Sequence, residues 1–91
     1  MLRITKLDAN SKRTNFKVEG RLVSTWVHLL KDECHRALQE TGQVVLDMTH
    51  VSFADEPGIH ALRTLSQDRR IELRASEFIH QLLFPKKRSS P

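Results

Sequence analysis

The chain has 91 residues, enough for one small domain with a modest core, and its single cysteine excludes an internal disulfide. No apolar run is long enough for a membrane span or a secretion signal, so a reducing, cytoplasmic setting is expected. Three of the positive charges behind the net charge of +4 come from Lys86, Lys87 and Arg88. The remaining 12 basic and 11 acidic residues nearly balance, and the chain has no Tyr, which argues against a dedicated nucleic-acid-binding domain.

The first predicted elements are two strands. Leu2 and Ile4 alternate with polar residues, and Phe16 and Val18 do so after a polar stretch over residues 8–15. A period of two is typical of strands that are buried on one side. We therefore expect a hairpin at an edge of the sheet.

The segment 24–41 predicts a long amphipathic helix. Its apolar residues recur at helical spacing, and Gly42 follows at the position where helices commonly end with positive φ. The apolar positions are Trp26, Val27, Leu29, Leu30, Cys34, Ala37 and Leu38. Cys34 therefore fits a buried structural thiol.

A strand, a polar turn and a second helix are expected next. The run from Val44 to Met48 is apolar on both faces, which is typical of a strand covered on each side. After a polar turn, Asp55 is the expected N-cap of a helix whose first turn tolerates Pro57. The apolar residues of that helix stand at every third position, and it should end near residues 67–69. The turn and the start of this helix are the expected functional surface.

The end of the chain predicts a fourth strand and a third helix. Ile71 and Leu73 alternate with charged residues, and Ser76 is a suitable N-cap for a helix that Pro85 should stop. Residues 85–91 are expected to form a flexible basic tail, which leaves 1–84 as a single domain. The order of elements indicates an α/β domain with a mixed four-stranded sheet packed with about three helices.

The pattern around the second helix resembles the STAS domain (sulphate transporter and anti-sigma factor antagonist). The resemblance rests on a hydrophobic strand with Leu-Asp, a Val-Ser-Phe segment, and Asp-x-x-Gly at a helix start. These motifs are Leu46-Asp47, Val51-Ser52-Phe53 and Asp55 to Gly58, and an early Gly20-Arg21-Leu22 is similar to the family's Gly-x-Leu. Residues 75–83 are similar to the final helix of the family. The resemblance spans residues 2–84 and implies a STAS-like layered fold.

No converging catalytic group is apparent in the sequence. Cys34 and His35 are adjacent on a helix, so their side chains point about 100° apart, which does not suit a nucleophile and its base. His28, Asp32 and His35 share one helix face and could present ligands to a metal, but no second ligand pair accompanies them. The same pattern fits a solvated face. We expect neither an enzyme nor a bound metal or other cofactor.

The resemblance implies a phosphorylatable serine directly after the capping aspartate, where a kinase that doubles as an anti-sigma factor docks. Glu56 holds that position here, and Pro57 replaces a second small residue. A glutamate brings about one negative charge against −1.5 to −2 for phosphoserine, so it is a partial mimic. The usual serine switch is not expected, and whether Glu56 fixes a binding or a blocked state stays open. Thr49, Ser52 and Ser66 are candidates for a substitute site.

The functional hypothesis is a non-enzymatic protein-interaction regulator resembling an anti-sigma factor antagonist. Its partner would be an anti-sigma factor or a serine-kinase-like ATPase. The expected contact residues are Asp55, Glu56, Pro57, Gly58, Ile59, His60 and Arg63. Plain helix capping also explains residues 55–58. An alternative from the same resemblance is a cytoplasmic STAS adaptor subunit of a membrane transporter such as a lipid-transport ATPase. Homodimerisation through an edge strand or an exposed helix face stays open.

Overall fold

The computed structural model describes residues 2–83, which form four strands and three helices. In chain order these are β1 (Leu2–Ala9), β2 (Thr14–Leu22), α1 (Ser24–Thr41), β3 (Val44–Ala54), α2 (Glu56–Ser66), β4 (Ile71–Ala75) and α3 (Glu77–Leu83). This is the predicted α/β fold with a mixed four-stranded sheet and three helices. The tail predicted at 85–91 and the helix stop predicted at Pro85 lie outside the described residues.

The strands lie side by side in the order β1-β2-β3-β4. β1 is antiparallel to β2, with Leu2 opposite Gly20, while β3 runs parallel to both β2 and β4. The side chain of Asn10 closes the hairpin by accepting hydrogen bonds from the backbone of Lys12 and Arg13. Parallel neighbours need a crossover connection, which α1 and α2 supply. The hairpin therefore lies at an edge, as predicted, with β1 outermost and β2 inside the sheet.

β3 is longer than the sequence indicated. It runs to Ala54, so the polar turn predicted after Met48 is part of the strand. The register with β2 shifts there, since Asp47 lies opposite Lys17 but His50 lies opposite Glu19. Such a bulge leaves backbone groups without ladder partners, and the Asp47 carboxylate accepts the Thr49 N–H at 3.1 Å. Polar residues that looked like a turn therefore serve a β-bulge.

The apolar core lies on one face of the sheet. Val44, Leu46 and Met48 are fully buried and pack in one cluster with residues of all three helices. Val45, on the other face, is 4% exposed but lies outside that cluster, among side chains that include Arg74. The next outward residue, Asp47, is half-buried. The strand is therefore buried on both sides at Val44, Val45 and Leu46, as expected, although Val45 lies outside the apolar cluster.

The helix ends agree closely with the sequence signals. Gly42 ends α1 with φ of 85° and donates its N–H to the Leu38 carbonyl at 2.8 Å. Ser76 caps α3 by accepting the Ile79 N–H at 3.2 Å. Cys34 is fully buried on α1, and burial, with a smaller contribution from Glu33, raises the pKa of its thiol to about 12. α2 ends at Ser66, one residue before the expected range.

Candidate functional site

Asp55 stands between β3 and α2 and caps two helices. Its Oδ1 atom accepts the N–H of Gly58 at 2.9 Å in the first turn of α2, which confirms the predicted N-cap. Its Oδ2 atom accepts the N–H of Ser24 at 3.0 Å, at the start of α1. The residue at the N-cap position of α1 is Val23, whose side chain offers no acceptor. One carboxylate therefore accepts one exposed backbone N–H at the start of each helix.

Gly58 lets α2 approach the end of β2. It is buried, and a Cβ atom added to it would overlap the backbone oxygen of Leu22. That same oxygen accepts the Asp55 N–H at 3.2 Å. The close approach at Gly58 is therefore made to the chain's own backbone, and Gly58 and Asp55 lie beneath the exposed residues of the site.

Glu56 and Pro57 form the exposed start of α2. A carboxylate in the first helical turn interacts favourably with the positive end of the helix dipole. Among residues 2–83, no ion pair involves Glu56. The charge at this position is therefore presented to solvent.

An open depression of about 620 Å³ lies between α2 and α3. Its lining is formed by Glu56, Pro57, Ile59, His60, Arg63 and Leu82. Ile59 is half-buried, whereas Leu62 is fully buried in the core. Five of the seven expected contact residues are thus brought together on one surface. We call this depression the α2–α3 groove.

Arg63 holds the last turn of α3. Its Nε atom donates to the carbonyl of Leu83 at 2.9 Å, and one terminal nitrogen donates to the carbonyl of Leu82 at 3.3 Å. Among the described residues these two carbonyls lie in the last turn of α3, and a cation is favoured at a helix C-terminus. Arg63 was predicted to contact a partner, whereas its bonds to α3 and the contribution of Leu82 to this surface were not predicted. The spacing of Phe78 and Leu82, four residues apart on an amphipathic helix, was the available signal.

The three candidate substitute hydroxyls all donate hydrogen bonds within the chain. Thr49 donates to the Asp47 carboxylate at 2.6 Å, Ser52 to the Gly20 carbonyl at 3.2 Å, and Ser66 to the Arg63 carbonyl at 2.8 Å. The Thr49 hydroxyl is the main cause that lowers the pKa of Asp47 below its ordinary value of 3.8. A phosphoryl group at any of the three would displace one of these bonds.

A second surface feature lies beside the start of α2. The Arg21 guanidinium stacks over the ring of Phe53, 4.9 Å from its centroid, and the two residues are partners across β2 and β3. Phe53 is 41% exposed. The next pair along these strands is Leu22 with Ala54, directly before Asp55. The exposed Phe53 ring, with the Arg21 guanidinium stacked on it, therefore lies beside the two capped helix starts.

Two further features of residues 2–83 concern metal binding and membrane spanning. His28, Asp32 and His35 are exposed on α1, and within this part of the chain no three potential ligands come together as a metal site would require. None of the helices between residues 2 and 83 has the length and apolar character needed to cross a membrane.

The chain is similar to known proteins in sequence pattern and in fold. A family model described as the STAS domain matches residues 6–75, which include α2 but end before α3 and are fewer than the 2–84 expected. The fold is similar to a solved structure described as an uncharacterized protein from the DUF3478 family with a SpoIIAA-like fold, from Shewanella loihica PV-4. The match has 13% identity, covers 90% of each chain and has a TM-score of 0.52. A search of curated proteins found no match.

Proposed function

Because the chain belongs to the STAS domain family, whose model matches residues 6–75, we propose that it is a cytoplasmic, non-enzymatic protein-interaction regulator of the anti-sigma factor antagonist type. Its partner is an anti-sigma factor or a serine-kinase-like ATPase. The partner binds the exposed start of α2 and the surface that follows it. Among the residues expected to make contact, Glu56, Pro57, Ile59 and His60 are the direct ones, while Asp55, Gly58 and Arg63 set their geometry.

The observation that supports this proposal is the α2–α3 groove directly beside the position where the family resemblance puts a phosphorylatable serine. Glu56 is exposed there and has no ion pair within residues 2–83. The apolar side chains of Ile59 and Leu82 stand in the same depression. An apolar surface next to one charged side chain without an ion-pair partner is typical of a protein-interaction site.

The proposed binding works without the usual serine switch. Residues 56 and 57 carry no hydroxyl, and the hydroxyls of Thr49, Ser52 and Ser66 are bonded within the chain. Glu56 supplies a fixed negative charge that phosphorylation neither adds nor removes. Phosphate incorporation at Ser52 on incubation with ATP and host extract would contradict this part of the proposal.

A second candidate function is that of a STAS adaptor subunit of a membrane transporter, such as a lipid-transport ATPase. The missing hydroxyls at residues 56 and 57 favour it, because an adaptor needs no covalent switch. Its interface would depend on shape and apolar packing more than on the charge at residue 56. The two functions therefore differ in what they require of Glu56.

Affinity capture from the native host with mass spectrometry tests both candidates. The baits are the natural protein, Glu56→Ser and Glu56→Ala, with Glu40→Ala as the matched control because Glu40 is an exposed carboxylate on α1. Recovery of an anti-sigma factor or kinase-like ATPase in an amount that changes with residue 56 supports the regulator. Transporter components recovered equally by all baits would replace it with the adaptor.

A further inference from the structure

Building on the proposed function, we propose that the α2–α3 groove receives an apolar side chain of the partner that is accompanied by a basic residue. The apolar side chain packs between Ile59 and Leu82, and the basic residue pairs with Glu56. Arg63 is a positioning residue in this arrangement, since it holds the α3 wall in place. The partner segment is thus defined by chemistry as an amphipathic stretch whose apolar residue has Lys or Arg beside it.

The two walls of the groove come from different helices. Ile59 on α2 and Leu82 on α3 are both half-buried, so each already packs against the domain while leaving apolar surface at the opening. Pro57 adds a rigid apolar edge next to the start of α2. Apolar side chains that are partly fixed lose little entropy on binding, which suits them to anchor a partner residue.

The charges around the groove select the residue beside that anchor. Glu56 is the only carboxylate in the lining, and no ion pair engages it within residues 2–83. The guanidinium of Arg63 is instead directed to the carbonyls of Leu82 and Leu83. A partner with Lys or Arg near Glu56 completes an ion pair, whereas one with Asp or Glu there meets a like charge.

Ile79 and Leu83 anchor α3 in the core, and the two hydrogen bonds from Arg63 hold its last turn against α2. α3 has seven residues, too few for a helix to be stable by itself in water. Arg63 ties the carbonyls of its final turn to α2, so Leu82 stays opposite Ile59. Loss of the guanidinium would remove both hydrogen bonds and shift Leu82 relative to Ile59, while Leu83 keeps its place in the core and no apolar contact residue is removed.

Two phage-displayed peptide libraries provide the probe for this proposal. Both libraries fix a leucine, and one places Lys or Arg at the flanking positions while the other places Asp or Glu there. We expect only the basic library to enrich binders for the natural protein. For the best binder, Glu56→Gln should weaken binding about threefold, as for an exposed ion pair. Leu82→Ala and Ile59→Ala should each weaken it about tenfold, as for an anchor pocket.

Phe78→Ala is the matched control, since Phe78 is 56% exposed on α3 but does not line the groove, and it should leave the affinity unchanged. For Arg63, the methyl NMR resonance of Leu82 in the free protein distinguishes a positioning role from direct contact with the peptide. Arg63→Met should shift that resonance and weaken binding, while Arg63→Lys should recover only part of both. A Leu82 resonance unmoved by Arg63→Met would overturn the positioning role.

Enrichment of acidic peptides, enrichment from neither library, or affinity indifferent to both Ile59→Ala and Leu82→Ala would overturn the groove assignment. Host capture separates this failure from failure of the proposed function. If Leu82→Ala and Ile59→Ala still capture the regulatory partner in full, the groove assignment falls and the regulator stands. If capture yields only transporter components, the proposed function falls whatever the peptides show.

Discussion

Asp55 and Ser24 are joined by a hydrogen bond across 31 residues of sequence, from the Ser24 N–H to the Asp55 carboxylate at 3.0 Å. The same carboxylate accepts the Gly58 N–H at 2.9 Å. The starts of α1 and α2 therefore share one acceptor group. This hydrogen bond links the surface proposed for partner binding to α1, the longest of the three described helices.

Replacing Asp55 should show that it serves two caps. Asp55→Ala removes both acceptors and should lower the free energy of unfolding by about 2 kcal/mol, since each cap contributes about 1 kcal/mol. Asp55→Asn keeps one carbonyl oxygen and should cost about half as much. Urea denaturation measures both, with Asp32→Ala, an exposed carboxylate on α1, expected within about 0.5 kcal/mol of the natural protein. Equal costs for Asp55→Asn and Asp55→Ala would argue against the shared cap.

Two glycines should respond to substitution for different reasons. Gly42 has φ of 85° with nothing near the place of a Cβ atom, so Gly42→Ala should cost about 1 kcal/mol through backbone strain, and Gly42→Asn less. At Gly58 the obstacle is the Leu22 carbonyl, so Gly58→Ala should cost about 1–3 kcal/mol, and Gly58→Asn at least as much. Thermal unfolding of the four variants gives the comparison. An Asn variant that recovers stability at residue 58 would contradict the steric explanation.

The stability of the β3 bulge should depend on pH through Asp47. Its pKa is lowered in the folded chain, chiefly by the Thr49 hydroxyl, so its contribution is present above the ordinary value of 3.8 and is lost as pH falls through the folded value. Thr49→Val should raise the pKa of Asp47 toward 3.8 and make unfolding less sensitive to acid. Carboxyl NMR titration checks this directly. The Asp68 carboxylate, whose pKa Arg70 lowers to about 2, should titrate unchanged in the variant.

Cys34 should be inert while the domain is folded. Its side chain is fully buried and burial raises its pKa to about 12, so almost no thiolate forms near neutral pH. A thiol reagent such as DTNB should therefore modify Cys34 only as fast as the domain opens, and the rate should rise steeply with urea. Rapid modification in native buffer at pH 8 would contradict this. A Cys34→Ala variant provides the blank.

The sequence predicted the elements of the fold better than their extent. Periodicity and caps placed α1 and the start of α3 correctly because Gly42 and Ser76 act through local geometry. The end of β3 was misplaced because Thr49 and the residues around it have turn-like composition, while the bulge depends on pairing with β2. The burial of Val45 was expected, but the residues beside it on the outer face, such as Arg74, come from other strands and could not be predicted from β3 alone.

The sequence predicted most residues of the candidate site but not the hydrogen bonds and packing that bring them together. Asp55 was identified as the cap of α2, but its bond to Ser24 depends on how the crossover returns to the sheet. Arg63 was interpreted as a surface contact. Its partners are backbone carbonyls, which every residue has, so the sequence does not reveal which of them accept a hydrogen bond. Leu82 lies beyond the residues that the STAS model matches, and the resemblance of residues 75–83 to the family's final helix did not identify it as part of the site.

The double cap at Asp55 also bears on how this surface can change in evolution. A substitution at residue 55 loosens two helices at once, so most variants there would be removed for poor folding before their binding was tested. Residues 56, 57 and 60 are exposed, so substitutions there do not remove a cap from either helix. New partner preferences can therefore arise at those three positions while the scaffold beneath them stays intact.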